Sequence, residues 1–318
     1  MSSITIYPEF TTYNNQTINH LSIDSFKISE KSKNDENNKT REHIICAIIN
    51  NEVPDEYYSI REWIDMKNHV IEYLNKLNGK PYDSVECKHE GGRGHKSDFK
   101  ITFQCEGGTK HTFKVELKFN ALTVEDAPQF VSPGKPSKFM TNSYEEYYYD
   151  HYLPRLQAAS GFQMPPRDDY LKQVHGPKPT CLIEYKELYD KGCKSKESKG
   201  KYTGNADHIK FHELCKKQSV DSIREFLKQN ELNIEEMSKY LAESQKDKKY
   251  MLYSDKCGFA FQEIDEANYT LVSVVKKKNY FECITKANRR VKILLRWKNG
   301  NGIAYPAFQI SLLKAKKP

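Results

Sequence analysis

Apolar and polar residues alternate along two neighbouring segments of the chain, residues 98–103 and residues 112–119. In both segments the apolar side chains occupy the odd-numbered positions and the polar side chains occupy the even-numbered ones. Because the side chains of a strand point to its two faces in turn, this pattern predicts two half-buried β-strands. Gly107 and Gly108, which lie between the segments, predict the turn of a hairpin.

The predicted hairpin brings charged residues together on its polar face. A three-residue loop at residues 106–108 would set Asp98 directly opposite Glu116, with the two Cβ atoms roughly 5 Å apart. Two carboxylates so placed repel each other unless a cation offsets their charge, and Mg²⁺ often binds one or two carboxylates and keeps open water positions. Lys118 would orient a water molecule or neutralise charge on a phosphate. The hairpin therefore predicts metal-assisted phosphodiester chemistry.

Asp98 and the tripeptide Glu116-Leu117-Lys118 resemble the motif of the PD-(D/E)xK superfamily of metal-dependent nucleases, which includes many restriction and repair nucleases. Ser97 stands where the family has a proline. The resemblance implies an α/β fold with a restriction-endonuclease-like core, a mixed central β-sheet flanked by helices. It also implies Mg²⁺ or Mn²⁺ as cofactor, held by Asp98 and Glu116, with Lys118 assisting the attacking water. In a competing frame Glu86 is the first acid; in the preferred frame it is an additional metal ligand.

A helix is predicted just before the hairpin. Apolar residues recur at intervals of three and four between residues 60 and 77, and Gly79 follows as a stop signal. In the superfamily an acid on such a helix helps to hold the metal, which makes Glu72, ahead of Glu62, a candidate ligand. His69 on the same helix resembles the histidine of nuclease branches that cut RNA with manganese.

Two loops are candidates for contact with nucleic acid. Residues 89–96 contain three glycines together with Arg93 and Lys96, and glycines allow a backbone to approach a phosphate closely. Gln129 lies in a proline-rich and glycine-rich segment that follows the second hairpin strand. From there we expect it to reach the scissile phosphate or a base.

Positive charge is concentrated near the C-terminus. The whole chain has 50 Lys and Arg residues against 43 Asp and Glu, but residues 270–318 have twelve basic residues against the single acid Glu282. This segment also has four stretches typical of strands, and aromatic residues lie between its basic clusters. It predicts an antiparallel β region that binds nucleic acid, with a solvated lysine-rich surface as the alternative. The predicted contacts are Lys276, Lys277, Lys278, Arg289, Arg290, Arg296 and Lys298.

Composition suggests three regions. Residues 29–42 carry no apolar side chain, which predicts a mobile linker within an N-terminal segment, 1–42. We expect a nuclease core at 43–245 and the basic β-rich region at 246–318. No apolar stretch of 18 residues and no secretory leader occur, so we expect an intracellular protein, nuclear or cytoplasmic, without a membrane partner.

The eight cysteines form no C-x-x-C pair, which predicts reduced thiols. One group of possible ligands, Cys193, His208, His212 and Cys215, lies within 23 residues but fits no common zinc module. The sequence leaves zinc binding at this group open.

Together these features predict an Mg²⁺-dependent endonuclease, restriction-like or repair-like, that hydrolyses DNA. Two alternatives stay open: a noncatalytic nucleic-acid-binding protein, in which the acidic and basic residues are only a charged strand face, and a metal-dependent RNA endonuclease. DNA is the expected partner, RNA is the alternative, and a homodimer is compatible with the sequence.

Overall fold

The computed structural model describes residues 5–28, 34–91, 97–127, 129–130, 135–176, 179–193, 205–297, 302 and 306–314. The α-helices in chain order are α1 (Asn34–Ile49), α2 (Arg61–Asn78), α3 (Tyr144–His151), α4 (Leu153–Ser160), α5 (Arg167–Gln173), α6 (Ile183–Lys191), α7 (Ala206–Gln229) and α8 (Ile234–Gln245). The strands are β1 (Phe10–Thr11), β2 (Thr17–Ile18), β3 (Ser84–His89), β4 (Phe99–Gln104), β5 (Lys110–Phe119), β6 (Gln129–Phe130), β7 (Lys248–Ser254), β8 (Gly258–Glu263), β9 (Leu271–Lys276), β10 (Phe281–Thr285), β11 (Arg290–Trp297) and β12 (Pro306–Leu312).

The chain divides into two compact units. The first unit comprises Met1–Ala127 and Gln245–Asp265, and the second comprises Pro128–Ser244 and Glu266–Pro318. These limits differ from the predicted boundaries after residues 42 and 245. None of the helices in the described ranges is both long and apolar enough to span a membrane.

The first unit contains a mixed five-stranded sheet, which confirms the predicted α/β class. The strand order is β3-β4-β5-β7-β8, and every neighbouring pair is antiparallel except β5 and β7, which are parallel. The core of the unit combines the apolar side of α1 and α2 with one face of this sheet. Its buried side chains include Ile44, Ile48, Trp63, Val70, Leu74, Phe99, Ile101, Val115 and Leu117.

The predicted hairpin is confirmed in both position and register. Phe99 lies opposite Val115 and Thr102 lies opposite Thr112, and the pairing keeps this register without a bulge as far as Gln104 and Lys110, next to the turn. Gly107 and Gly108 adopt φ values of 75° and 77° in that turn, a backbone conformation that residues other than glycine rarely adopt. Helix α2 also forms where the apolar spacing predicts it, and Gly79 ends it with φ 67°.

The prediction of a mobile linker at residues 29–42 is wrong for its second half, because α1 begins at residue 34. This polar stretch leads directly into the buried apolar residues Ile44, Ile45 and Ile48, which anchor the helix. Arg41, itself fully buried, donates hydrogen bonds to the backbone carbonyl groups of Ser25 and Ile28. Contacts with distant residues therefore order a segment whose own composition favours disorder.

The second unit contains an antiparallel sheet of order β6-β12-β11-β10-β9 and the helices α3 to α8. Four of its strands form where the basic C-terminal segment predicts them. Alternate residues of β11 are buried, and Trp297 at its end donates a hydrogen bond to the Tyr144 hydroxyl of α3 at 2.8 Å. The predicted C-terminal region was too long, however, because β7 and β8 belong to the sheet of the first unit.

Candidate active site

The three residues of the predicted motif come together at the end of the hairpin. Asp98 lies one residue before β4, and its Oδ2 accepts a hydrogen bond from the backbone N–H of Leu117 at 2.8 Å. Lys118 Nζ lies 2.7 Å from Glu116 Oε1, and only 14% of the Lys118 side chain and 16% of the Glu116 side chain are exposed. The motif is therefore a compact and mostly buried charge cluster.

A second lysine joins this cluster from β7. Lys248 Nζ lies 3.1 Å from Glu116 Oε2, so a lysine contacts each oxygen of the Glu116 carboxylate. The parallel pairing of β5 and β7 sets Lys248 opposite Lys114. Lys114 is two residues before Glu116 on β5, so Lys248 and Glu116 lie on the same side of the sheet. The motif gave no signal for this residue, since Lys248 lies 132 positions after Glu116 in the chain.

Helix α1 supplies a third carboxylate, Glu42. After burial and the charge of Glu116, the charge of Glu42 also raises the pKa of Asp98, and it adds to the effect of Glu116 and Asp98 in raising the pKa of Lys118. Glu42 Oε2 also lies 2.7 Å from His89 Nε2 at the end of β3. Sequence reasoning missed Glu42 because its segment was interpreted as a linker. The signal that would have found it is the apolar run at residues 44–49, which predicts that the preceding turn is helical.

The surroundings of each group in the cluster determine the direction in which its pKa is shifted, and so which charge lacks compensation. Burial raises the pKa of Asp98 well above its usual value, and the charges of Glu116 and Glu42 raise it further. Burial also acts to raise the pKa of Glu116, but Lys118 and Lys248 outweigh this effect and lower it. For Lys118, burial acts to lower the pKa, but its carboxylate neighbours outweigh burial and raise it. Asp98 is therefore the carboxylate whose charge the cluster does not balance.

Asp98→Asn is expected to stabilise the protein in EDTA at neutral pH by about 1 kcal/mol. Because the pKa of Asp98 is raised in the folded state, that state binds the proton more tightly than the unfolded state does. The resulting stabilisation is present below the unfolded-state pKa of about 4 and is lost as the pH rises through the folded-state pKa. Asparagine escapes this loss and still accepts the Leu117 N–H. Urea denaturation should give Asp98→Asn a higher free energy of unfolding than wild type at pH 8 and a smaller difference at pH 4. If the variant and the wild-type protein were equally stable at pH 8, the charge of Asp98 would not be uncompensated.

The other predicted metal ligands lie elsewhere. Glu72 is on the exposed side of α2, away from the buried residues that pack on the sheet. Glu86 is exposed and pairs with Thr102, four residues along β4 from Asp98, which corresponds to roughly 13 Å along a strand. Glu62 instead forms an ion pair with Lys27. The helix carboxylate that acts on Asp98 is Glu42 of α1, not an acid of α2.

The histidine beside the cluster is also not the predicted one. His69 of α2 lies against Gly258 of β8, where a Cβ atom would meet the His69 ring at 2.7 Å. His89, which contacts Glu42, comes from β3 and was placed by the sequence only at the start of a glycine-rich loop.

The predicted nucleic-acid contacts divide into three groups. Arg93, Lys96 and Lys298 lie outside the described residues, and only the backbone of Gln129 is described, paired with Ile310 in the second unit. Lys277 and Lys278 are exposed after β9, and Arg289 is partly buried before β11. The remaining three have polar partners: Lys276 pairs with Glu231, Arg290 with Glu282 and Arg296 with Gln309. Part of the basic charge is therefore neutralised within the second unit.

Three members of the cysteine and histidine group lie on α7 and Cys193 follows α6, and the group does not form a metal centre as placed. Cys193 Sγ lies 3.3 Å from His212 Nδ1, and Cys215 is fully buried. All eight cysteines are free thiols, in agreement with the prediction. Throughout the described ranges, no three His, Cys, Asp or Glu side chains are arranged so as to hold a metal ion.

Comparisons of the chain with protein-family models, with curated proteins and with solved structures found no match.

Proposed function

We propose that this chain is a divalent-metal-dependent endonuclease that hydrolyses phosphodiester bonds of DNA, with a restriction-endonuclease-like core in its first unit. The observation that carries the proposal is that Asp98, Glu116 and Lys118 come together at the end of the hairpin in a mostly buried cluster. Glu42 of α1, an element outside the motif, adds a further negative charge that acts on Asp98 and Lys118. The mixed sheet with α1 and α2 on one face also supports this kind of core.

The cluster fits Mg²⁺ or Mn²⁺ in donor type and in charge. Both ions prefer carboxylate oxygens, and the cluster contains three carboxylates against two lysines. Burial first, and then the charges of Glu116 and Glu42, raise the pKa of Asp98, and a bound cation would favour its charged form. Asp98 and Glu116 would hold the ion and leave its other positions to water, since no three His, Cys, Asp or Glu side chains of the described residues are arranged to bind it together. The ion would supply activation of a water molecule and stabilise charge on the phosphate.

Lys118 has a defined part in this chemistry. Its pKa is raised, so the ammonium group stays protonated and can donate hydrogen bonds at neutral pH. It lies against Glu116, where it would orient the attacking water or neutralise charge on a phosphate oxygen. In the second unit, the exposed residues Lys277 and Lys278 would contact the substrate backbone. We favour DNA over RNA because the RNA alternative depended on His69, which packs against Gly258.

Cleavage assays on supercoiled plasmid DNA and on structured RNA test the proposal. We expect the wild-type protein to nick or linearise the plasmid with Mg²⁺ or Mn²⁺ and to be inactive in EDTA. Asp98→Ala and Lys118→Ala should each lower the cleavage rate at least about 100-fold, since each removes a group that acts on the reacting centre. Matched controls are Asp83→Ala and Lys100→Ala, which alter exposed residues of the same unit and should cut normally. A wild-type protein that cuts neither substrate, or variants that cut as well as wild type, would overturn the assignment.

One observation favours the noncatalytic alternative. Both oxygens of Glu116 are already held by lysines, so an ion shared by Asp98 and Glu116 competes with Lys118 for Oε1. A noncatalytic protein would use this network only to hold β5 and β7 together. It would retain plasmid in a gel-shift assay without cutting it, and Lys118→Ala would lower its stability without affecting DNA binding.

A further inference from the structure

Two buried cysteines from different elements of the first unit face each other. Cys46 lies on α1 and Cys87 lies on β3, and their Sγ atoms are 2.9 Å apart. Only 6% of Cys46 and 5% of Cys87 are exposed. Both are free thiols, so the contact is a hydrogen bond between two thiols. The two sulfur atoms already lie close to the separation of about 2.05 Å that a disulfide bond requires.

Asn50 fixes the backbones that carry these thiols. Its backbone N–H donates a hydrogen bond to Cys46 O at 2.9 Å, which continues the last turn of α1. Its side-chain amide donates to Cys87 O at 3.0 Å, and its Oδ1 accepts a hydrogen bond from the Cys87 N–H at 2.8 Å. Asn50 therefore holds β3 against the end of α1 without any contribution from the sulfur atoms.

The same two elements are joined again one turn earlier on the helix. Glu42 Oε2 and His89 Nε2 are 2.7 Å apart. Glu42 lies four residues before Cys46 on α1, so the two residues share one face of the helix. His89 lies two residues after Cys87 on β3, so these two residues share one face of the strand. Polar contacts on both sides of the thiol pair thus hold the two sulfur atoms in register.

We propose that Cys46 and Cys87 are an oxidation site: a hydroperoxide converts the two thiols into an intramolecular disulfide that ties α1 to β3. One sulfur, as thiolate, attacks a peroxide oxygen, the O–O bond breaks, and a sulfenic acid and one water form. The second sulfur then attacks the first, the S–O bond breaks and a second water leaves. The two thiols lose two electrons and two protons, which the peroxide accepts. This inference is independent of the proposed nuclease function.

Burial determines how fast this pair reacts. Burial raises the pKa of Cys87, and the hydrogen bond to Cys46 raises it further, so little of the reactive thiolate is present at neutral pH. β3 is an edge strand of its sheet, so local opening of β3 breaks only one ladder of strand pairing. We expect the peroxide to react during such openings, and more slowly than it reacts with the exposed thiol of Cys257.

Peptide mapping of the wild-type protein tests the proposal. The folded protein is treated with hydrogen peroxide until Cys257 is fully oxidised, then quenched with catalase, blocked with N-ethylmaleimide in urea and digested. We expect mass spectrometry to find peptides linked through Cys46 and Cys87, and dithiothreitol to restore both thiols.

The melting temperature of the first unit is the second readout, followed by Trp63 fluorescence in a Trp297→Phe background. It should rise by about 10 °C on oxidation and return on reduction, because the new bond links positions 41 residues apart and constrains the unfolded chain. A disulfide elsewhere in the chain would not be removed by a change at either of these two cysteines.

Alanine variants separate this bond from other oxidation of the chain. Cys46→Ala and Cys87→Ala should each abolish the linked peptides and the rise in melting temperature. Cys283→Ala is the matched control, because Cys283 is a fully buried thiol on β10 of the second unit. It should form the linked peptides and show the same rise as wild type.

Three results would overturn the proposal. In the first, Cys46 and Cys87 of the peroxide-treated wild-type protein still react with N-ethylmaleimide. In the second, either residue is linked to another cysteine or is oxidised beyond the sulfenic acid without forming the pair. In the third, the linked pair forms but the melting temperature does not rise, so that the bond does not tie α1 to the folded sheet. Where an alanine variant does not fold, the peptide map and melting temperatures of the wild-type protein decide the question.

Discussion

Glu42→Gln is expected to lower metal-dependent DNA cleavage at least about 100-fold while the protein stays folded. Glutamine preserves the size of the side chain and can still form a hydrogen bond with His89 Nε2. It removes a negative charge that acts on Asp98 and Lys118 and that the proposed metal ion would offset. The loss should therefore appear in metal binding and in cleavage, with little change in the melting temperature.

Two glutamates serve as controls for this variant. Glu36→Gln changes an exposed residue on the same helix, and Glu72→Gln changes the exposed α2 residue that the sequence favoured as a ligand. Both should cut plasmid at the wild-type rate when compared at equal Mg²⁺ concentration. If Glu72→Gln lost activity and Glu42→Gln did not, α2 would be the metal-binding helix and our assignment of Glu42 would be wrong.

The hairpin was predictable because local sequence determines it. Alternation fixes which residues share a face, and the two glycines fix the turn, so the register that joins Asp98 to Glu116 follows from about twenty consecutive residues. The same reasoning located the strands at the C-terminus. Each of these elements lies next to its pairing partner in the chain.

The rest of the cluster was not predictable because its residues arrive from distant elements. Lys248 reaches Glu116 only because β7 pairs in parallel with β5, and no local pattern specifies a parallel partner more than 120 residues away. β7 and β8 resemble the strands that follow them, which is why they were assigned to the wrong region. The sequence therefore predicted how β5 pairs with β4, but it did not predict that β7 is the other neighbour of β5.

Glu42 was missed for a different physical reason. Composition tests whether a segment can form its own core, and residues 29–42 cannot. A helix also becomes ordered when one end is buried and a side chain within it satisfies backbone groups elsewhere. In α1 the apolar residues after position 43 provide the first condition, and Arg41 provides the second.

Arg41 therefore has the largest predicted effect on stability. Its guanidinium donates to Ser25 O at 2.9 and 2.6 Å, to Ile28 O at 2.6 Å and to Asn38 Oδ1 at 2.6 Å. It also lies over the Phe119 ring, 3.4 Å from its centroid, at the end of the strand that carries Lys118. Burial lowers the pKa of Arg41 to about 10, so the group remains charged at neutral pH. One side chain thus joins α1 to the segment before it and to β5.

Arg41→Lys is expected to destabilise the first unit by about 3 kcal/mol, although the charge is retained. Lysine can neither bond to two carbonyl groups with a planar fork nor stack on Phe119, so buried carbonyl oxygens lose their donors. The measurement is urea denaturation followed by tryptophan fluorescence in a Trp297→Phe background. There Trp63, the one remaining tryptophan of the chain, reports on the first unit.

Arg61→Lys is the matched control, because Arg61 is 89% exposed and should contribute little to stability. Arg41 precedes Glu42 on α1, so a looser helix in Arg41→Lys should also weaken Mn²⁺ binding. If the buried contacts of Arg41 are responsible, the loss should be about the same at low and at high ionic strength, because salt screens buried interactions little. An Arg41→Lys protein as stable as Arg61→Lys would show that the apolar run at residues 44–49 suffices to hold α1. The position of Glu42 would then depend on that apolar run and on its contact with His89.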